Sequence, residues 1–372
     1  MSSKLIVVKV GTGSLTNHGV LDIELMSRLV DQIAEAIKKG NKIVFVTSGA
    51  VAAGIAELQI PPKPNDIVFQ QVAAATGQSI IMSTYRQLFK KHGLKVAQIL
   101  LTAEDLSNRA SYLHVCDVLE MILQLGVVPI INENDVTSTD ELIPFTKGYK
   151  INFSDNDLLS VLVANALEAT LIIILSNVDG LYTMNPKKSG AQLITKVEKI
   201  TPEIKCEIEG KSRLGTGGMK TKLKAAEIAA TSGVPLVIAN SKHENVILDI
   251  LAGKQVGTIF KPQQRLPQIK RWIAYGASVK GQIFVNEGAK KAIIQGASLL
   301  PIGVIKLTGT FNEGEVVSLV DQDNVEFAKG NPNYNSGEIN IIKGLKTNQI
   351  KKVLGYIRRK EVIARKNICI GK

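Results

Sequence analysis

Apolar positions in this chain fall into two alternating rhythms. Short runs with little polar interruption, at residues 5–9, 43–47, 95–101, 127–131, 171–175 and 235–238, have the length and β-branched content of strands buried on both faces. Between them lie longer stretches with helical spacing. Residues 22–39 put Leu25, Leu29, Ile33 and Ile37 on one face, with Asp22 at the start and Gly40 at the end. Further helices are expected at 50–58, 67–91 (with Gly77 inside it), 107–125, 155–167 and 218–233. Strands alternating with helices at this spacing predict an α/β fold: an open, mostly parallel sheet with helices on both faces.

The style changes after residue 262. Residues 263–275 read as a linker, and 276–372 as a small, mostly β module with strands at 283–285, 304–307, 316–320 and 362–364 and a short helix at 289–295. The expected organisation is therefore a catalytic domain at 1–262, the linker, and the β module at 276–372.

Ligands of parallel sheets collect at the carboxyl ends of the strands. Lys9, Ser48, Asn132-Glu133-Asn134-Asp135 and Ser176-Asn177 all fall at such ends. Asp155-Asn156-Asp157 opens the helix that precedes the strand at 171–175. Each has a plain structural reading beside the functional one. Lys9 can be a strand-end lysine lifting its ammonium to water, and Asp155 a helix N-cap. Their joint placement is what points to a site.

The stretch Leu214-Gly215-Thr216-Gly217-Gly218-Met219-Lys220-Thr221-Lys222 runs directly into a helical pattern. A glycine-rich turn at a helix start offers free N–H groups to a phosphate, and lysine adds a mobile charge. A flexible loop with a solvated basic helix is the alternative. Neither common phosphate-loop pattern fits: Gly210-Lys211-Ser212 lacks the glycine expected at Lys205, and Lys220 stands where G-x-G-x-x-G needs its third glycine.

Charge sharpens the division of the chain. Of the net +12, residues 263–372 contribute +10, from 18 Lys+Arg against 8 Asp+Glu. Such a basic module suits contact with a polyanion or simply keeps the chain soluble. No apolar run approaches the ~18 residues of a membrane span, and a strand is expected to begin directly after Met1-Ser2-Ser3-Lys4, with no signal peptide. Cys116, Cys206 and Cys369 are scattered, which suits a reducing cytoplasm, and His18, His92, His114 and His243 are isolated. No cysteine–histidine cluster or nucleophile elbow competes with the lysines.

Two lysines, a glycine-rich turn and carboxylates at one edge suit phosphoryl transfer, which needs alignment and positive charge more than covalent help. Lys9 and Lys222 would hold the phosphates from two sides, with a carboxylate between them, Asp157 for preference. Mg²⁺ would arrive with the nucleotide, so no metal cage of the protein's own is required.

At Val7-Val8-Lys9-Val10-Gly11-Thr12, Val46-Thr47-Ser48-Gly49-Ala50-Val51-Ala52-Ala53-Gly54, Ile131-Asn132-Glu133-Asn134-Asp135, Ser154-Asp155-Asn156-Asp157 and residues 214–222 the chain resembles the amino acid kinase family, in its glutamate-phosphorylating branch. Asn286-Glu287-Gly288-Ala289, Ser298-Leu299-Leu300-Pro301-Ile302-Gly303 and Gly309-Thr310-Phe311 resemble a PUA domain. The resemblance implies ATP-dependent conversion of L-glutamate to L-glutamyl 5-phosphate, the first step of proline biosynthesis. It makes Lys9 and Lys222 the phosphate and transition-state lysines and Asp157 their organiser. Glutamate would be held by Ser48, Asp135 and Asn156, with Asn132 and Asp155 beside them. ATP would meet Lys9, Ser176, Asn177, Thr216, Gly217, Gly218, Met219, Lys220, Thr221 and Lys222.

The resemblance also implies proline as feedback inhibitor, a homo-oligomer, the next enzyme of the pathway as partner, RNA contact through the PUA domain, a cytoplasmic location and no membrane partner. Two departures stand out. The 136–154 loop is longer than the family pattern and is expected to set sensitivity to proline, and Ser176-Asn177 replaces a frequent Thr-Asp. Two other readings stay open. A family member with another acceptor (aspartate, acetylglutamate, carbamate or a nucleoside monophosphate) would differ within 132–157. An RNA-binding or RNA-modification factor would act through the PUA domain.

Overall fold

A computed structural model of the protein describes residues 3–17, 19–59, 61, 66–138, 156–186, 189–201, 204, 218–263 and 265–371. By their contacts they form two units. The first holds most of the chain up to Leu266; the second holds Pro267–Lys372 together with Glu104–Leu113.

The first unit is built on an eight-stranded sheet. Its strands are β1 (Leu5–Val10), β2 (Lys42–Val46), β3 (Val96–Leu101), β4 (Val128–Glu133), β5 (Leu171–Ser176), β6 (Lys196–Val197), β7 (Leu236–Asn240) and β8 (Thr258–Phe260). They lie in the order β6-β8-β7-β5-β1-β2-β4-β3, parallel except where β8 runs antiparallel to β7. The central strand β1 pairs Lys9 with Val46 on one side and Ile174 on the other, so the lysine sits level with the carboxyl ends of both neighbours. Ile6, Val7, Val8 and Val10 are fully buried, as both faces of a helix-covered parallel strand must be.

Helix α1 (Ile23–Lys38) buries Leu25, Met26, Leu29 and Ile33, and Asp22 caps it by accepting from Leu25 N at 2.9 Å. A cap of this kind is worth about 1 kcal/mol. Helices α2 (Ala50–Leu58) and α3 (Ile67–Lys90) cross with almost no side chain between them. A Cβ on Gly54 would stand 1.8 Å from Ala73 O, and one on Gly77 would stand 1.9 Å from Ala50 O. Both positions need glycine because two backbones touch there, so Gly54 and Gly77 together set α3 against α2.

Helix α4 (Arg109–Gln124) begins later than the sequence pattern suggests. The expected 107–125 helix is broken at Asn108, whose side chain accepts from Ala110 N and Ser111 N and starts a new helix. Helix α5 (Asn156–Ala166) is buried along its length from Asp157 onward, against β1 and helix α6 (Gly218–Thr231).

The second unit carries a five-stranded sheet of β9 (Val279–Val285), β10 (Val304–Thr308), β11 (Val316–Val320), β12 (Glu326–Gly330) and β13 (Ile368–Ile370), in the order β10-β9-β11-β12-β13. Its core gathers Ile283, Val285, Leu299, Val317, Leu319 and Tyr334. The local structure departs from the sequence pattern in three places. Within the 263–275 stretch read as linker, Gln268–Arg271 forms a helical turn that runs into a wide turn at Trp272–Gly276, and Trp272 donates to Leu106 O at 3.1 Å. Residues 362–364 make only an isolated bridge, Ile363 to Leu299, and the closing strand is β13. The helix Ser336–Ile342, opened by a reciprocal Asn335–Glu338 cap, was not foreseen because its apolar positions are few.

Candidate active site

The carboxyl ends of β1, β2, β4 and β5 surround a cavity of about 420 Å³ in the first unit. At one end of it three charged residues from three elements meet. Asp157, the second residue of α5, is wholly buried. Lys9 Nζ from β1 donates to its Oδ1 at 2.5 Å, and Lys222 Nζ from α6 donates to its Oδ2 at 2.9 Å. Lys222 Nζ also lies 3.3 Å from Gly218 O, in the first turn of its own helix. The sequence brings them together because α5 lies between β1 and α6. Two ammonium groups share one carboxylate, so the cluster carries a net positive charge, with both lysines on the cavity wall.

The other end is polar and carries the carboxyl of Asp135. Gly49, between β2 and α2, has φ of +99°, a left-handed conformation that side-chain-bearing residues adopt at a cost. It lets the chain turn sharply after Ser48, which presents its hydroxyl at the α2 N-terminus. Asn156 Nδ2 faces three acceptors: Thr47 O at 2.9 Å, Ser48 Oγ at 2.8 Å and Asn132 Oδ1 at 2.8 Å. Among the described residues its Oδ1 is buried without a hydrogen-bond partner. Asp135, just beyond β4, also lines the cavity, and burial pushes its carboxyl up from 3.8 to about 6. Thr47 is held from below by Tyr85 OH at 3.0 Å, and burial raises that phenol well above its ordinary value.

With that geometry stands a clear likeness to known proteins. The profile of the amino acid kinase family matches residues 4–240, and that of the PUA domain matches 281–354. The chain belongs to the amino acid kinase family. Glutamate 5-kinase of Thermoanaerobacter sp. (strain X514) is 44% identical over 370 residues, covering 98% of this chain and 97% of that one. Glutamate 5-kinase of Methanosarcina acetivorans is 44% identical over 376 residues, covering 98% and 95%. That of Moorella thermoacetica is 42% identical over 373 residues, covering 99% and 96%. Among solved structures, carbamate kinase from Giardia lamblia bound to AMP-PNP shares the fold, with a TM-score of 0.50 at 18% identity over 70% of this chain and 99% of that one.

As an amino acid kinase, the chain places the residues singled out from sequence as follows. Lys9, Ser48, Asn132 and Asp135 line the cavity, and so do Asn156, Ser176, Asn177 and Lys222, while Asp157 lies beneath the two lysines. Gly218, Met219, Lys220 and Thr221 form the first turn of α6, where Thr221 Oγ1 donates to Gly218 O at 3.1 Å, and none of the four lines the cavity. Asp155, Thr216 and Gly217, like most of the 136–154 loop, fall outside the described residues.

Sequence reasoning passed over other wall residues. Thr12 and Ser14 follow Lys9, and Gln70 comes from α3. Buried Glu133, which accepts from Ser138 Oγ at 2.8 Å, was noted only as a neighbour of Asn132. The Gly11-Thr12-Gly13 turn after β1 was a usable signal; Gln70 gave none. Among the described residues no three His, Cys, Asp or Glu side chains stand together as metal ligands, and no helix is long and apolar enough to cross a membrane.

Proposed function

We propose that the protein is a glutamate 5-kinase, transferring the γ-phosphoryl group of ATP to the side-chain carboxylate of L-glutamate. What carries the reading is one cavity with a lysine pair at one end and amino-acid-reading groups at the other. The near full-length identity to proteins of that name supports the choice of acceptor.

In this reading the α-carboxylate of glutamate sits at Ser48 and the α2 N-terminus, where N–H groups and the helix dipole favour an anion. Its α-ammonium faces Asp135 and the Oδ1 of Asn156. The side-chain carboxylate then points at Lys9 and Lys222. One of its oxygens attacks the γ-phosphorus of ATP, the bond from that phosphorus to the bridging oxygen of ADP breaks, and an acyl phosphate and ADP result. Charge shifts toward the bridging and equatorial oxygens as the bond breaks, and the two ammonium groups are already held there by Asp157, so little reorganisation is needed.

The nucleotide lies along the α6 side, with Ser176 and Asn177 beside it. Both Asp157 oxygens are engaged by lysines, which fits Mg²⁺ entering on the nucleotide rather than in a carboxylate cage. Bound there, the ion neutralises phosphate charge.

Proline shares the α-amino acid head and would compete for the Ser48–Asn156 end. The scattered cysteines accord with a cytoplasmic setting. RNA contact through the second unit rests on its charge and its PUA match, whereas self-association and docking of the next pathway enzyme rest on the family likeness alone.

The test is ADP release with a panel of acceptors. L-Glutamate should support turnover well above the acceptor-free rate. Turnover with aspartate, carbamate or UMP and none with glutamate would overturn the assignment.

A further inference from the structure

The orphan oxygen of Asn156 has a fixed direction, and its cause lies outside the cavity. Thr47 O is a backbone carbonyl and can only accept, so the end of the Asn156 amide 2.9 Å away from it is the Nδ2 end. That Nδ2 also donates to Asn132, whose Oδ1 must therefore face it. Asn132 is left with its Nδ2 turned the other way, where Gln78 Oε1 accepts at 2.8 Å. A chain of amides thus runs from Gln78 on α3, through Asn132 at the end of β4, to Asn156 at the start of α5. Gln78 is buried and does not line the cavity. Its neighbour Gly77 touches the α2 backbone, which places this turn of α3 beside the site.

Gln78 is a poor choice for stability alone. Among the described residues its Nε2 is buried with no partner, a cost that an apolar side chain of similar shape would avoid. Its acceptor, however, secures from the far side the orientation that Asn156 Nδ2 requires of Asn132. Without it, Asn132 is free to rotate its amide and present Nδ2 to Nδ2 of Asn156, two donors face to face.

We propose that Gln78 is a positioning residue for the acceptor substrate: through Asn132 it reinforces the orientation that Thr47 O gives the Asn156 amide, so that Oδ1 is held ready for the substrate's α-ammonium. This rests on the glutamate reading above.

The test is steady-state kinetics of the full-length enzyme as wild type, Gln78→Met, Asn156→Ala and the double variant. Gln78→Met should raise KM for L-glutamate about tenfold, the loss of one well-aligned hydrogen bond to an ammonium. KM for ATP should stay within about twofold and the thermal midpoint within about 3 °C. In the Asn156→Ala background the same change should move KM for glutamate by less than about twofold, because the group it acts through is gone. A glutamate KM that does not rise, a rise in both KM values together, or a tenfold effect that persists without the Asn156 amide, would overturn the proposal. If Gln78→Met does not fold, Gln78→Glu decides. It keeps an acceptor for Asn132, so KM for glutamate should stay within about threefold of wild type, and a larger rise counts against the proposal. A wild type that does not turn over glutamate would instead overturn the reaction itself.

Discussion

Lys9 and Lys222 hold opposite oxygens of the same buried carboxylate, at 2.5 and 2.9 Å. Neither lysine can swing freely, so both ammonium groups are in place before substrate arrives. Interactions of this kind act mainly on the transition state, where charge on the transferring group changes. Lys9→Ala and Lys222→Ala should each lower kcat on the order of 10²-fold or more, with smaller changes in KM. Initial-rate kinetics with saturating ATP and glutamate checks this. Near-normal kcat in Lys222→Ala would remove that lysine from the chemistry.

Asp157→Asn keeps the shape of the side chain and removes its charge. Lys9 and Lys222, both buried, would then face each other across a neutral amide. Breaking a buried pair by removing one partner costs about 3–5 kcal/mol. The urea midpoint of the free enzyme should fall accordingly, together with kcat. Unchanged stability would mean that the lysines relax outward to water when the carboxylate is lost.

Asp135 gives the site a pH signature. Burial raises its carboxyl from 3.8 to about 6, so the charged form is the costly one in the empty site. Below 3.8 it is protonated folded or unfolded and costs nothing. As pH climbs through about 6 the folded state acquires a desolvated charge and loses stability. Binding an α-ammonium needs that charge, so kcat/KM for L-glutamate should rise with pH and level off above about 6, since this ratio reports groups of the free enzyme. Asp135→Asn should show a low value without the step, and should unfold at higher urea than wild type at pH 8. A step of the same size in the variant would assign it to another group.

The α2–α3 crossing leaves no room for a side chain near the site. Gly77→Ala puts a methyl 1.9 Å from Ala50 O, with backbone rather than a flexible side chain in its way. Overpacking that moves backbone costs about 1–3 kcal/mol or more. Thermal unfolding should register that loss, and KM for glutamate should rise with it because Gln78 moves too. A variant with wild-type midpoint and KM would show that the helices part easily.

Much of this edge was legible before the fold was known, for a physical reason. A parallel sheet delivers every strand end to the same side, so Lys9, Ser48, Asn132 and Ser176 could be grouped from strand boundaries alone. Asp157 was legible as the charge between two lysines, though only the placement of α5 between β1 and α6 makes the contact. Gln78 was illegible. Inside an amphipathic helix a glutamine reads as surface, and only the glycine crossing brings it to Asn132. The break at Asn108 was hidden because an asparagine inside a helical pattern looks like one more polar position until its side chain takes two backbone N–H groups. Trp272 read as part of a linker; its indole found Leu106 far along the chain.

The most direct measurement is hydroxamate formation from L-glutamate, ATP and Mg²⁺ in the presence of hydroxylamine, run side by side on wild type and Lys222→Ala. An acyl phosphate reacts with hydroxylamine at its carbonyl carbon and releases phosphate, so the trapped hydroxamate reports phosphorylation of the side-chain carboxylate rather than stray ATP hydrolysis. We expect glutamyl hydroxamate and ADP in equal amounts from the wild type, and a rate lower by on the order of 10²-fold or more from Lys222→Ala. ADP without hydroxamate from the wild type, or equal hydroxamate rates from the two proteins, would contradict glutamate phosphorylation at the Lys9–Asp157–Lys222 cluster.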